Sequence, residues 1–305
     1  MKKDSKDMNR RDFLKTTAAL GAGVSLAGLP GPLAAAAEAV KSSSPTAKKI
    51  GWVLGCQQYT FRSMSFYEAL EKIAALGMES VEPAFFLPLR KDRPELKVNE
   101  TLPADERKEL KKRLSDLGIR MNNFYGDLGN DAADCRKKLD FAKEMGVETF
   151  VAEPPAEAFD LIEKLFDEYK INLAVHNHPR SPESRYWEPE NVLKVCKGRS
   201  KRIGSCSDTG HWVRSGLDPV ACLKKMEGRI ITLHLKDVIE SGKPEARDVP
   251  LGTGKAKYGD VLAEVHRQGF KGILVVEYEH ESPKLVEDVA ECIAFVEKTA
   301  KSLAR

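Results

Sequence analysis

The 305-residue sequence has no CxxC pair among its six cysteines, no Gly-x-Gly-x-x-Gly after its first apolar strand, no apolar run suited to a permanent membrane anchor, and no marked excess of either charge. Each absence removes a class of protein. Cys56, Cys135, Cys196, Cys206, Cys222 and Cys292 follow no regular spacing and form no zinc ribbon; several sit among apolar neighbours, as inert buried thiols do. A domain of this size does not need disulfide staples. Gly55-Cys56-Gln57-Gln58 stands where a dinucleotide-binding sheet would carry its phosphate loop, which argues against an open doubly wound sheet. The 49 basic and 46 acidic residues nearly cancel; residues 1–39 hold six and four of them, leaving 43 against 42. Such a balance lacks the positive field that nucleic-acid binding requires and suits a small neutral ligand.

What is present begins at the N-terminus. Arg10-Arg11-Asp12-Phe13-Leu14-Lys15 precedes a mild apolar run from Ala18 to Leu29, broken by three glycines, and Ala-x-Ala choices end near Ala37 or Ala39. Residues 1–39 therefore read as an export signal. The paired arginines resemble the twin-arginine class, which implies recognition by the twin-arginine export machinery, release of a folded protein to the periplasm or otherwise outside the cytoplasm, and no stable membrane anchor after processing. Residues 40–49, containing Ser42-Ser43-Ser44-Pro45, read as a linker.

From Ile50 the chain repeats one unit, an apolar run followed by a polar loop and an amphipathic helical stretch. Ser65 and Glu68 form a capping box ahead of Leu70, Ile73, Ala74 and Leu76, and Gly77, Gly118, Gly146, Gly228 and Gly269 close helices before the next strand. Strands are expected near 51–57, 80–84, 120–124, 149–153, 172–176, 203–208, 230–235 and 273–278. Eight strand–helix units over residues 50–305 predict a single α/β domain, a (β/α)8 TIM barrel.

Successive expected strands end in acids or histidines: Glu82, Glu153, His176 with His178, Asp208, His234 and Glu277. One histidine or aspartate at a strand end is usually a loop anchor. A barrel, however, gathers all such ends at one rim, and charged groups at an apolar mouth are costly unless they hold a metal or one another. Asp208, His234 and Glu277, from adjacent strands, supply a donor set suited to one divalent ion: manganese, zinc, cobalt or magnesium. Lys236, two residues beyond His234, faces the same side and either meets substrate or pairs with Asp237. Trp212 is the aromatic placed to stack on a substrate ring, Glu279, His280 and Glu281 are expected in solvent, and loops 85–103 and 180–189 are expected to shape the rim.

Asp208-Thr209-Gly210-His211, His234-Leu235-Lys236-Asp237, Leu251-Gly252-Thr253-Gly254 and Val276-Glu277, in this order, resemble the xylose-isomerase-like TIM barrels, a superfamily of sugar isomerases, epimerases, inosose dehydratases and keto-glycoside lyases. The resemblance runs from about Ile50 to the C-terminus. It implies a sugar substrate, Asp208, His234 and Glu277 as metal ligands, and His211 as a neighbour that binds substrate or metal. The fifth strand departs from the epimerase pattern, carrying His176-Asn177-His178-Pro179 in place of glutamate, so the fourth ligand stands between His176 and Glu153. Glu153, His176, His211 and Glu277 are the candidate catalytic groups, with Glu82, His178, Lys236 and Trp212 on the substrate. An isomerase or epimerase and a β-eliminating lyase share the first step, proton removal beside a carbonyl. An apurinic endonuclease on the same barrel is disfavoured by the charge balance and the leader, and an envelope carbohydrate-binding protein would not need so many titratable groups. A homo-oligomer is compatible with the sequence.

Overall fold

The computed structural model describes residues 42–305; the expected leader, with Arg10 and Arg11, lies outside the described residues. Eight parallel strands form its centre: β1 (Trp52–Gln57), β2 (Ser80–Glu82), β3 (Asn123–Tyr125), β4 (Thr149–Ala152), β5 (Asn172–His176), β6 (Ile203–Asp208), β7 (Ile230–Leu235) and β8 (Gly272–Val276). Their spatial order is β2-β1-β8-β7-β6-β5-β4-β3. Parallel bridges from Ser80 to Arg120 and from Ala84 to Tyr125 link the two ends, giving a TIM barrel. β3 starts later than the sequence suggests, because the Asn122 carbonyl takes the N–H groups of both Glu148 and Thr149 and regular pairing resumes only at Asn123.

Helices cover the outside: α1 (Pro45–Lys49), α2 (Phe66–Ala75), α3 (Ala104–Asp116), α4 (Ala132–Met145), α5 (Phe159–Tyr169), α6 (Pro189–Cys196), α7 (Thr209–Arg214), α8 (Pro219–Lys225), α9 (Tyr258–Arg267) and α10 (Leu285–Leu303). Ser65 and Glu68 make the capping box at the head of α2, and α4 ends on Gly146 at φ 80°, a left-handed conformation that glycine adopts without strain. The segment expected as a linker is, from Ser42 onward, built into the barrel. Glu297 of α10 accepts the N–H groups of Thr46 and Ala47 at the start of α1, each within 3.1 Å, and Ala47 is fully buried. Those N–H groups are ones a helix leaves without internal partners, so an acid supplied by another helix fastens the chain here.

After β7 a two-stranded ribbon, Asp237–Val238 against Asp248–Val249, rises beside the rim. The Asp237 carboxylate accepts the N–H groups of Val238, Gly252, Gly254 and Ala256 at 2.9–3.0 Å. A Cβ on Gly254 would lie 2.3 Å from Asp237 Oδ1. Asp237 thus gathers the Gly252-Thr253-Gly254 loop and makes no ion pair with Lys236, whose ammonium points elsewhere. All six cysteines are free and buried.

Candidate active site

Parallel register brings the strand ends to one level: Asp208 lies opposite His234, His176 opposite Cys206, and Gln57 opposite Glu82. Asp208 Oδ2 is 3.7 Å from His176 Nε2, 3.6 Å from His211 Nε2 and 3.9 Å from His234 Nδ1. Glu277 Oε2 is 3.0 Å from His234 Nδ1. Donor atoms of His176, Asp208, His211 and Glu277 all lie within 4.8 Å of one another, and all four residues are buried. Two of those atoms, His176 Nε2 and Asp208 Oδ2, have no hydrogen-bond partner. Buried polar atoms are rarely left so, and a carboxylate oxygen and an imidazole nitrogen aimed at a common point form a donor set that fits a divalent cation.

Lys236 reaches the same place. Its buried ammonium lies 2.8 Å from Glu277 Oε2, 3.0 Å from Asp208 Oδ2, out of line for a hydrogen bond, 3.1 Å from Glu279 Oε1 and 3.1 Å from His211 Nε2. Burial opposes the charge on Lys236, yet Asp208, Glu277 and Glu279 hold its pKa well above the ordinary lysine value. Burial and the Lys236 cation together push His211 well below its usual value, so His211 is neutral. Burial likewise opposes charge on His234, but its acidic neighbours, Glu82 and Glu277 among them, carry it well above the ordinary histidine range.

Glu82 is completely buried below the rim. Its Oε1 meets His234 Nε2 at 2.9 Å, and Asn123 Nδ2 donates to its Oε2 at 3.2 Å. This position corrects the expectation that Glu82 touches substrate, because the His234 ring stands over it. Trp212 also leaves the substrate set: its indole is 1% exposed and packed in the hydrophobic core, since α7 turns that face inward. Glu153 sits at the mouth, where its Oε1 contacts His178 Nδ1 at 2.5 Å, His176 Nδ1 at 3.4 Å and the Tyr125 hydroxyl at 3.3 Å. Burial alone would raise its pKa; hydrogen bonds with His176 and His178 prevail and hold the carboxyl well below the usual range.

A cavity of about 510 Å³ opens over these groups, with His178, His211, Arg214, Glu277 and Glu279 along its polar side. Glu279, expected in solvent, instead pairs with Arg214 and Lys236. Glu277 and Glu279 both reach the Lys236 ammonium, and their two-residue spacing, like that of His234 and Lys236, was the available signal. Arg214, whose Nη2 is 2.6 Å from Asp248 and whose Nη1 is 3.2 Å from His211 Nδ1, carried no sequence signal because it sits on a helix and not at a strand end. Tyr125 and Gln57 also reach the cavity.

The barrel and its acid- and histidine-lined rim define an enzyme-like α/β scaffold with one large site at the C-terminal strand ends. The chain belongs to the xylose isomerase-like TIM barrel family, whose model matches residues 70–298. A twin-arginine translocation signal matches residues 7–27 and marks the chain for export. No helix among the described residues is long and apolar enough to cross a membrane. The chain is 29% identical over 136 residues to the rhizopine catabolism protein MocC of Rhizobium meliloti, covering 40% of this chain and 41% of that protein. It is 23% identical over 268 residues to an inosose dehydratase of Mesomycoplasma hyopneumoniae, covering 72% and 83% of the two chains. A solved structure from Parabacteroides distasonis, described as a putative uncharacterized protein, superposes with a TM-score of 0.65 at 32% identity, covering 81% of this chain and 99% of that one.

Proposed function

We propose that this protein is a divalent-metal-dependent carbon–oxygen lyase that removes the proton beside the carbonyl of a keto-polyol or keto-sugar and eliminates the oxygen substituent one carbon further on. The observation that carries this reading is the pair of buried donor atoms on His176 and Asp208 that make no hydrogen bond, beneath a cavity lined by further acids and histidines. The inosose dehydratase relatives and the histidine that ends β5 support elimination over two-sided epimerisation.

His176, Asp208, His234 and Glu277 would hold the ion, with His211 the alternative imidazole. His234 is favoured because Glu82 takes its Nε2 and leaves Nδ1 toward Asp208 and Glu277, the arrangement in which a ligating imidazole gives its other N–H to a carboxylate. Manganese, zinc, cobalt and magnesium all accept mixed carboxylate and imidazole donors, and the bound ion would supply Lewis acidity at the carbonyl oxygen. Replacing Glu82 by leucine is expected to weaken divalent-ion affinity about 10- to 100-fold in a calorimetric titration. Unchanged affinity would remove His234 from the ligand set.

One of the protein's own groups carries the proton. His178, which lines the cavity with its Nδ1 held by Glu153, accepts the carbon-bound proton, while Lys236 and Arg214, which face the two ring nitrogens of neutral His211, keep positive charge beside the developing enolate. The electron pair of that C–H bond becomes the new double bond as the neighbouring C–O bond breaks. His178 then gives the proton to the departing oxygen, releasing water or an alcohol.

The test is to incubate metal-loaded protein with inososes and 3-keto-glucosides in heavy water. Enone absorbance with release of water or alcohol is expected. Deuterium at the carbon next to the carbonyl without elimination would replace the lyase by an isomerase or epimerase. Neither outcome over a broad panel would leave a carbohydrate-binding protein.

A further inference from the structure

One side of the cavity has no part in the chemistry above. Tyr59 and Phe86, beyond the ends of β1 and β2, line it with their rings 6.2 Å apart, edge to face. Phe86 is 44% exposed and Ile239 36%, the two large hydrophobic residues that the described surface leaves open. An exposed aromatic at the lip of a polar cavity marks a recognition surface, because its apolar area stays in water until a ligand covers it. The ring is also held in place from behind. Phe85 packs against it at 5.3 Å, the Phe85 N–H donates to the Tyr125 carbonyl at 3.0 Å, and Asn99 Nδ2 donates to the Phe85 carbonyl at 3.0 Å.

Size points the same way. A six-carbon ring with its oxygens fills roughly 180 Å³, about six times the share of one water in the liquid. The cavity, at about 510 Å³, has space for more than one such ring. His211 and Arg214 follow β6, which stands across the barrel from β2, so the space farthest from them adjoins Phe86, while Glu277 and Glu279 at the end of β8 flank the Tyr59 side.

We infer that Tyr59 and Phe86 form an apolar subsite for the group attached to the reacting ring, so that the substrate is a glycoside with an aromatic or comparably flat apolar aglycone and not a free single-ring polyol. The inference rests on the lyase reading for its reacting ring. The two are separated by comparing phenyl and methyl 3-keto-β-glucosides, which share the reacting ring and differ only in the attached group. The wild-type protein is expected to turn over the phenyl compound with a kcat/KM about tenfold above that of the methyl compound, the size of effect that a modest apolar contact gives. Phe86→Ala should erase this preference and leave the methyl compound within twofold of wild type; the side chain is exposed, so folding is not at stake. Equal kcat/KM for the two compounds in the wild type, or an equal loss on both in Phe86→Ala, would overturn the subsite while leaving the lyase intact. If neither compound is turned over, the lyase reading falls and the subsite is decided by binding alone, with tighter binding of phenyl than methyl β-glucoside that Phe86→Ala abolishes as its support, and equal binding as its refutation.

Discussion

His176→Ala and Glu277→Gln are each expected to lower turnover of a 3-keto-glucoside or inosose on the order of 10³-fold or more, with far-UV circular dichroism and melting within a few degrees of wild type in the presence of metal. The reasoning differs for the two. His176 ends β5, and its Nε2 is one of the two unpartnered atoms, so alanine removes a donor without breaking a hydrogen bond made by that atom. Glutamine at position 277 keeps an oxygen for Lys236 and His234, now at 2.8 and 3.0 Å, and removes only the negative charge. Both changes act where negative charge develops on the substrate, and losing one preorganised interaction there costs 10² to 10³ in rate, more when it also loosens a bound ion. Metal content of the purified variants, measured alongside rates, separates a lost ligand from a lost catalytic contact. Full activity in both variants would remove the β5 and β8 ends from the active site.

How much of this was legible in the sequence follows from what each signal depends on. Strand and helix order were readable because each apolar run is followed by its own helix, and glycine stops such as Gly146 fall where a left-handed residue is needed. The convergence of Asp208, His234 and Glu277 was readable too, since barrel closure sends every strand end to the same rim. Side-chain partnerships were not. Glu82 looked like a rim acid, but its fully buried carboxylate is taken up by His234 and Asn123. Trp212 stood next to His211 in the chain, yet successive residues on a helix point about 100° apart, so one faces the cavity and the other the core. Arg214, on that same helix, returns to the His211 side three residues later.

Lys236→Met is expected to destabilise the metal-free protein by about 3–5 kcal/mol, the cost of leaving buried charges without their partner. The ammonium stands within 3.1 Å of Asp208, Glu277 and Glu279, and no other lysine makes an ion pair with these three carboxylates among the described residues. Methionine matches the length of the side chain but leaves the acids facing one another. The deficit should depend on pH in a fixed direction. Lys236, working against burial, helps hold Glu277 well below the ordinary carboxylate range, so the stability it confers is present above the unfolded value of about 4.3 and disappears as pH falls below it. The gap between variant and wild type in urea titrations should therefore be widest near neutrality and close only as pH falls from about 4 through the lowered Glu277 value. A divalent ion supplied at neutral pH should narrow the gap as well, because it offers the same carboxylates another cation and stabilises the folded state by mass action. A variant as stable as wild type in chelator at pH 7 would mean that the acids at this rim do not depend on Lys236 for their charge balance.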